Sequence, residues 1–144
     1  MLHMMQSQTE IKVRAYHLDG YGRINSVRYL EFLEHARWEY VEKLSGVDGA
    51  SFFREKGMAF VVVNININYR HPAGLGDVLL VETEVTRVGN RSITMAQRIC
   101  LKSNNTLIAD AEVTFVIIDV VTGRSIPLEG ELKRYWSGGD YQFE

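Results

Sequence analysis

The sequence predicts an α+β fold built on an antiparallel sheet, and three observations predict it. After Gly57 the chain runs through long stretches in which apolar and polar residues alternate, a period of two that fits half-buried strands. A single long segment ahead of those stretches has helical spacing instead. The strand-like runs follow one another through short turns rather than alternating with helices, which excludes a doubly wound nucleotide-binding fold.

Taken in order, Ile11, Val13 and Ala15 alternate with Lys12 and Arg14, which predicts a first strand from Glu10 to Tyr16. A loop with Gly20 and Gly22 follows. Asn25 or Ser26 is a good N-cap, and Leu30, Leu33, Ala36, Tyr40, Val41 and Leu44 then recur at helical spacing up to Gly46, a C-cap glycine. This predicts one long helix from Val27 to Ser45, roughly 28 Å at 1.5 Å per residue. Between Val47 and Lys56 the pattern fits a short second helix carrying Phe52 and Phe53. Met58 to Tyr69 reads as a strand with Val63, Ile65, Ile67 and Tyr69 on one face and Asn64, Asn66 and Asn68 on the other. Asp77 to Val88 and Ser92 to Leu101 are separated by Gly89, Asn90 and Arg91, a tight hairpin. Ser103 to Asn105 turns the chain into Thr106 to Asp119, where Leu107, Ala109, Ala111, Val113, Phe115 and Ile117 share a face. Thr122 and Gly123 mark another turn, and Glu129 to Trp136 fits a short terminal helix.

The chain has 144 residues and 46% apolar content, enough for one core, so residues 1–144 are expected to form one domain with its core from about 10 to 136 and short flexible tails. Sixteen Lys and Arg against eighteen Asp and Glu leave a net charge of -2, with no broad basic field for nucleic acid or an anionic membrane. Cys100 is the sole cysteine, so no intrachain disulfide forms, a Cys-based zinc site lacks its ligands, and a reducing compartment is indicated. No leader-like N-terminus and no membrane-length apolar run is visible, and a cytoplasmic location is expected. No metal or redox cofactor is implied. One helix covers one face of a five-stranded sheet and leaves its edges open, so self-association into dimers or tetramers is expected.

The loop from Tyr16 to Asn25 leads into the start of the long helix, where unpaired backbone N–H groups and the positive end of the helix dipole can hold a developing oxyanion. Asp19, a few residues upstream, could attack a carbonyl held there or activate a water beside it; it could equally order a glycine-rich turn. Residue chemistry leaves both readings open.

The loop and the segments after it resemble the hotdog thioesterases of the 4-hydroxybenzoyl-CoA thioesterase type. That family's loop reads approximately Asp-Thr-Asp-x-x-Gly-His-Val-Asn-Asn, with Tyr-Leu and Glu-x-Ala-Arg in the helix; here Asp19, Gly22, Asn25, Tyr29-Leu30 and Glu34-His35-Ala36-Arg37 fall in register. Tyr69-Arg70-His71-Pro72-Ala73 and Gly76-Asp77 resemble later family segments, and the likeness covers about residues 10 to 133. Tyr16-His17-Leu18-Asp19, Arg28 to Glu34 and Ala59 to Tyr69 are similar to a closer subgroup, the bacterial long-chain acyl-CoA thioesterase III. The resemblance implies a hotdog fold: a curved five-stranded antiparallel sheet wrapped around the long helix, in dimers or tetramers with the site between subunits. It also implies hydrolysis of a fatty acyl-CoA, with two alternatives, a non-catalytic acyl-CoA binder or sensor and an acyl-carrier-protein thioesterase.

The resemblance implies that Asp19 is the nucleophile or general base. The amides of Ser26 and Val27 are its candidate oxyanion donors. Glu34, bordering the apolar stripe, either pairs with Arg37 or a loop donor or positions Asp19 or the water. Asn25 belongs to the matched motif and is carried as substrate-binding. His17 is a loop-packing histidine or a proton shuttle. Phe60 and Val62 offer an acyl-chain wall or ordinary core. Arg91 and Ser92 hold the hairpin position where relatives contact the nucleotide of coenzyme A, with Arg70, Arg87 and Arg98 as weaker candidates. Arg23 stands where the family has a His and, always protonated, is no base; Ser26 replaces the second Asn of the pattern.

Overall fold

A computed structural model describes residues 6–45 and 49–137. Five strands, β1 (Gln6–Lys12), β2 (Met58–Tyr69), β3 (Val78–Val88), β4 (Ser92–Leu101) and β5 (Leu107–Asp119), form one sheet in the order β1-β3-β4-β5-β2, every pair antiparallel. Helix α1 (Arg28–Ser45) packs on it, followed by α2 (Gly49–Glu55); α3 (Gly130–Trp136) closes the chain. This is the hotdog arrangement.

The alternation that predicts the strands is what buries them. Leu79, Val81, Thr83 and Val85 of β3, Ile93, Met95, Gln97 and Ile99 of β4, and Ala109 to Ile117 at every second position of β5 all turn to the helix side. On α1 the stripe that meets them is Tyr29, Phe32, Leu33, Ala36 and Tyr40, one face of a 3.6-residue repeat. Leu30, expected in that stripe, is only half-buried, because the larger rings of Tyr29, one residue before it, and Phe32, two residues after it, take the contact. Burying a leucine such as Leu33 contributes roughly 1.5–3 kcal/mol.

The largest departures from expectation are in β1 and β2. β1 begins at Gln6 and ends at Lys12, pairing Gln6–Lys12 with Glu84–Val78. Ser7 and Thr9 are buried there without giving the sequence any hydrophobic period. Residues Ala15–His17 form a 3-10 turn instead of continuing the strand, so Ala15 is exposed where Val13 is buried. In β2 the register slips between Val62 and Asn64, making Val63 a bulge. Phe60 and Val62 therefore pair opposite Ile117 and Phe115 on the face that Ile65 shares, while Val63 leaves it. Gly46, expected as the helix C-cap, and the Gly138-Gly139 tail lie outside the described residues.

Among the described residues no helix is long and apolar enough to cross a membrane.

Candidate active site

The loop between β1 and α1 is folded on itself and fixed to the core on both sides. Leu18 pairs with Ile24 in an isolated antiparallel bridge, and the Asn25 N–H donates to the His17 carbonyl at 2.8 Å. Ile24 is buried in the cluster formed with Tyr29, Leu33 and Leu79. From the far side comes the segment between β2 and β3. The Ile24 N–H donates to the Ala73 carbonyl at 2.9 Å and Arg23 bridges to Gly74. A Cβ on Gly74 would stand 3.2 Å from the Gly22 carbonyl oxygen, so glycine lets the two loops touch. Gly22 itself has φ +79°, a conformation costly for other residues. Asp77 completes the brace by accepting the Gly74 N–H at 2.9 Å. The later motif segments thus serve the first one.

Within this frame Asp19 is partly buried. Its Oδ1 accepts the N–H groups of Tyr21 (2.8 Å) and Arg23 (3.1 Å), and its own N–H donates to the Arg23 carbonyl at 2.7 Å. Both hydrogen bonds to the carboxylate go to one oxygen. Among the described residues Oδ2 has no hydrogen-bond partner. The carboxylate therefore orders the loop through one of its two oxygens. The buried phenol of Tyr29 responds to this charge: desolvation, then Tyr69, then Asp19 and Asp77 push it up to about 12.

The helix start separates the two expected amide donors. Asn25 is its cap: Oδ1 accepts the Val27 N–H at 3.0 Å and its carbonyl accepts the Arg28 N–H at 2.9 Å. Val27, expected inside the helix, lies in the turn before it, and its N–H is spent on Asn25. The Ser26 N–H makes no hydrogen bond among the described residues. Tyr69 donates its hydroxyl to the Ser26 carbonyl at 2.9 Å, pinning the peptide that follows.

His17 is 8% exposed. Its Nδ1 accepts the Arg14 N–H at 2.9 Å, which leaves the ring proton on Nε2, and the ring stands edge-on to Phe32 with centroids 4.9 Å apart. Burial lowers its pKa, helped by Arg28 and opposed by Glu31. These are the contacts of a packing histidine.

Glu34 does not pair with Arg37. The guanidinium turns inward to Gln97, a buried amide on β4, whose Oε1 accepts Arg37 Nη1 at 3.1 Å while Nε2 donates to the Leu33 carbonyl (2.9 Å) and Thr83 Oγ1 (3.0 Å). Desolvation lowers the Arg37 pKa, with Glu34 opposing. Glu34 is exposed and has no hydrogen bond or ion pair among the described residues. It lines, with Arg37, Trp38, Phe60 and Val62, a cavity between α1 and the sheet. Three of the expected residues, Glu34, Phe60 and Val62, thus meet there. Arg37 and Trp38 join them unforeseen, although their spacing from Glu34 by three and four residues was the available signal.

Arg91 and Ser92 lie elsewhere. Their hairpin closes the end of β3 opposite to the Asp19 loop, eleven residues away, roughly 35 Å along a strand. Arg91 Nη1 is held by the Ser125 carbonyl (2.8 Å) and hydroxyl (3.1 Å). Arg70, a weaker candidate, pairs with Asp110 at 3.1 Å.

A model of the thioesterase-like superfamily matches residues 13–135. The chain belongs to that family. As a member it is a thioester hydrolase. It is 47% identical over 126 residues to the long-chain acyl-CoA thioesterase FadM of Escherichia coli K12, covering 88% of this chain and 93% of that one. It is 33% identical over 132 residues to the acyl-CoA thioesterase YbgC of Haemophilus influenzae, covering 90% and 95%. Among solved structures it superposes on the probable thioesterase YbaW of Escherichia coli with a TM-score of 0.81 at 45% identity, over 94% of this chain and 98% of that one.

Proposed function

We propose that this enzyme hydrolyses fatty acyl-CoA, long-chain substrates included, with the Asp19 carboxylate as its catalytic group. The observation that carries the reading is the division of labour in the loop: Oδ1 of Asp19 is fixed by two backbone N–H groups while Oδ2 has no hydrogen-bond partner among the described residues. The same loop leads to a helix start whose Ser26 N–H is also free, so we assign the oxyanion to Ser26 rather than to Val27. Oδ2 either attacks the thioester carbon or takes a proton from the water that does. The carbonyl oxygen gains charge against the Ser26 N–H and the end of the helix dipole, the C–S bond breaks and the thiolate of coenzyme A leaves; where Oδ2 itself attacked, water then cleaves the acyl–Asp19 anhydride to free the fatty acid and restore the carboxylate. Fixed donors cost no reorganisation in the transition state. The acyl chain enters the cavity beside Glu34, between α1 and β2.

The coenzyme reaches Arg91 only across a subunit boundary. β2 is an edge strand of twelve residues with Val61, Val62, Val63 and Ile65 exposed, an edge that calls for a cover. Two copies pairing β2 to β2 in antiparallel fashion make a continuous sheet. The start of the second copy's β2 then lies beside the end of the first, near Tyr69 and Ser26. Its Arg91 hairpin, two strands further in at about 4.8 Å per strand, comes far closer to the Asp19 loop than the hairpin of the same chain.

The test is thiol release from acyl-CoAs of graded chain length by the wild type and Asp19→Asn. The variant keeps both Oδ1 hydrogen bonds and should retain its melting temperature while turnover falls on the order of 10²-fold or more. Full turnover in Asp19→Asn removes Asp19 from the mechanism. Acyl-CoA binding without hydrolysis by the wild type makes the protein a binder.

A further inference from the structure

Helix α1 carries a second stripe beside the one facing the core. Glu34, Arg37, Trp38 and Val41 follow the i, i+3, i+4, i+7 spacing of one helix face and line a cavity of about 100 Å³. Its opposite walls are Phe60, Val62, Met95 and Phe115. The polar members, Glu34 and Arg37, precede Trp38 on the helix and so lie nearer the end that carries Ser26. Trp38 is half-buried and its ring is 5.5 Å from that of Phe60.

The two rings differ in what stands behind them. Phe60 touches Phe53 of α2 with centroids 4.4 Å apart, and meets Phe115 at 5.6 Å and Trp136 of α3 at 5.7 Å, both edge-on. Phe53 and Trp136 are fully buried. Phe60 is therefore backed by a packed aromatic cluster drawn from α2, β5 and α3, and has nowhere to retreat. Trp38 is half-buried as Phe60 is, but among the described residues Phe60 is the aromatic ring that meets it.

The cavity is small for a fatty chain. It is smaller than the roughly 150 Å³ cavity that takes up a benzene ring, so an incoming chain meets the ring pair after a short apolar run. We propose that Trp38 and Phe60 form the end wall of the acyl pocket, and that Trp38, which has no packed aromatic cluster behind it among the described residues, sets the chain length the enzyme accepts. This assignment rests on the acyl-CoA reading of the site. Methylenes short of the wall gain burial, about four-fold in affinity or kcat/KM for each. Methylenes beyond it gain nothing unless Trp38 yields.

The experiment uses the full-length protein and even-numbered saturated acyl-CoAs from butanoyl to octadecanoyl, with Trp38→Ala, Trp38→Leu and Phe60→Leu. The leucine variants retain apolar bulk in case Trp38→Ala does not fold. In the wild type, kcat/KM should climb by the per-methylene factor and then level at one chain length. In Trp38→Ala or Trp38→Leu the levelling point should move at least two carbons further, with the slope below it kept; Phe60→Leu should move it less, since Phe53 and Trp136 stand behind. The same series is titrated by calorimetry against Asp19→Asn and its Trp38 double variants, where affinity replaces turnover. A levelling point that stays put in every folded variant, or a uniform drop at all lengths, overturns the assignment. If the wild type binds but hydrolyses nothing, the catalytic reading fails while the affinity profile still decides the wall. Absence of acyl-CoA binding removes both.

Discussion

The Asp19 loop and the Arg91 hairpin sit at opposite ends of β3, and each spends its charged side chain on neighbouring backbone. What remains afterwards differs. Asp19 collects two N–H groups on one oxygen and keeps the other free, inside a loop anchored by buried Ile24 and by the Ala73-Gly74 segment. Arg91 gives Nη1 to Ser125 from a hairpin that is itself tied to the core, the N–H of buried Leu128 donating to the Asn90 carbonyl at 2.7 Å, but its own side chain stays at the surface. The first arrangement is set before substrate arrives, which electrostatic catalysis requires. The second can exchange a solvent-exposed hydrogen bond, weak in water, for a phosphate. On the proposed function, one end is equipped for chemistry and the other for recognition at a distance.

Arg91→Ala puts the largest strain on that contrast. Loss of a charge-assisted hydrogen bond to phosphate costs roughly 1.5–3 kcal/mol, so KM for an acyl-CoA should rise about tenfold or more. The acyl thioester of pantetheine, which lacks the nucleotide, should be hydrolysed as by the wild type. Equal losses on both substrates would remove the hairpin from recognition and leave Arg91 as a staple for Ser125.

Asn25→Ala probes the other end more gently. Removing the side chain that caps the Val27 N–H should lower stability by about 1 kcal/mol in urea denaturation, and Asn25→Asp, which keeps an acceptor there, should restore most of it. Undiminished stability in Asn25→Ala would show that the loop bracing through Ala73 and Gly74 fixes the helix start unaided.

How much of this could be read from residues alone follows the same division. Long elements with a strict period were legible: β4 spans the expected Ser92–Leu101, and α1 begins one residue after the expected start. Period two failed where burial is carried by Ser7 and Thr9 and where the Val63 bulge inverts the faces of β2. Asp19 and the helix start were legible as a motif. The unequal fate of its two oxygens, and of the Ser26 and Val27 amides, depends on loop closure over Gly20 and Gly22, for which sequence spacing has no signal. Glu34 misled because its expected partner, Arg37, answers to Gln97, sixty residues away along the chain. The Arg91 hairpin was legible as a tight turn, but its separation from Asp19 by the length of β3 was not, because strand order and register are not written in residue spacing.

The smallest expected effect concerns His17, which belongs to the Asp19 loop yet reads as packing. Its pKa is lowered chiefly by burial, and protonating Nδ1 also destroys the hydrogen bond from the Arg14 N–H. The unfolded chain, with an ordinary histidine near 6.5, therefore binds the proton more readily than the folded one. Stability from this group is complete above about pH 6.5 and declines as pH falls towards the lowered folded value, because there the unfolded state holds more protons. Urea denaturation of the wild type should show that acid-side decline. In His17→Gln, which has no proton to gain there, the decline should be shallower, while thioester turnover at neutral pH stays within a few-fold. A larger fall in turnover, with stability and its pH slope unchanged, would instead make His17 a proton shuttle and place chemistry on both sides of Leu18.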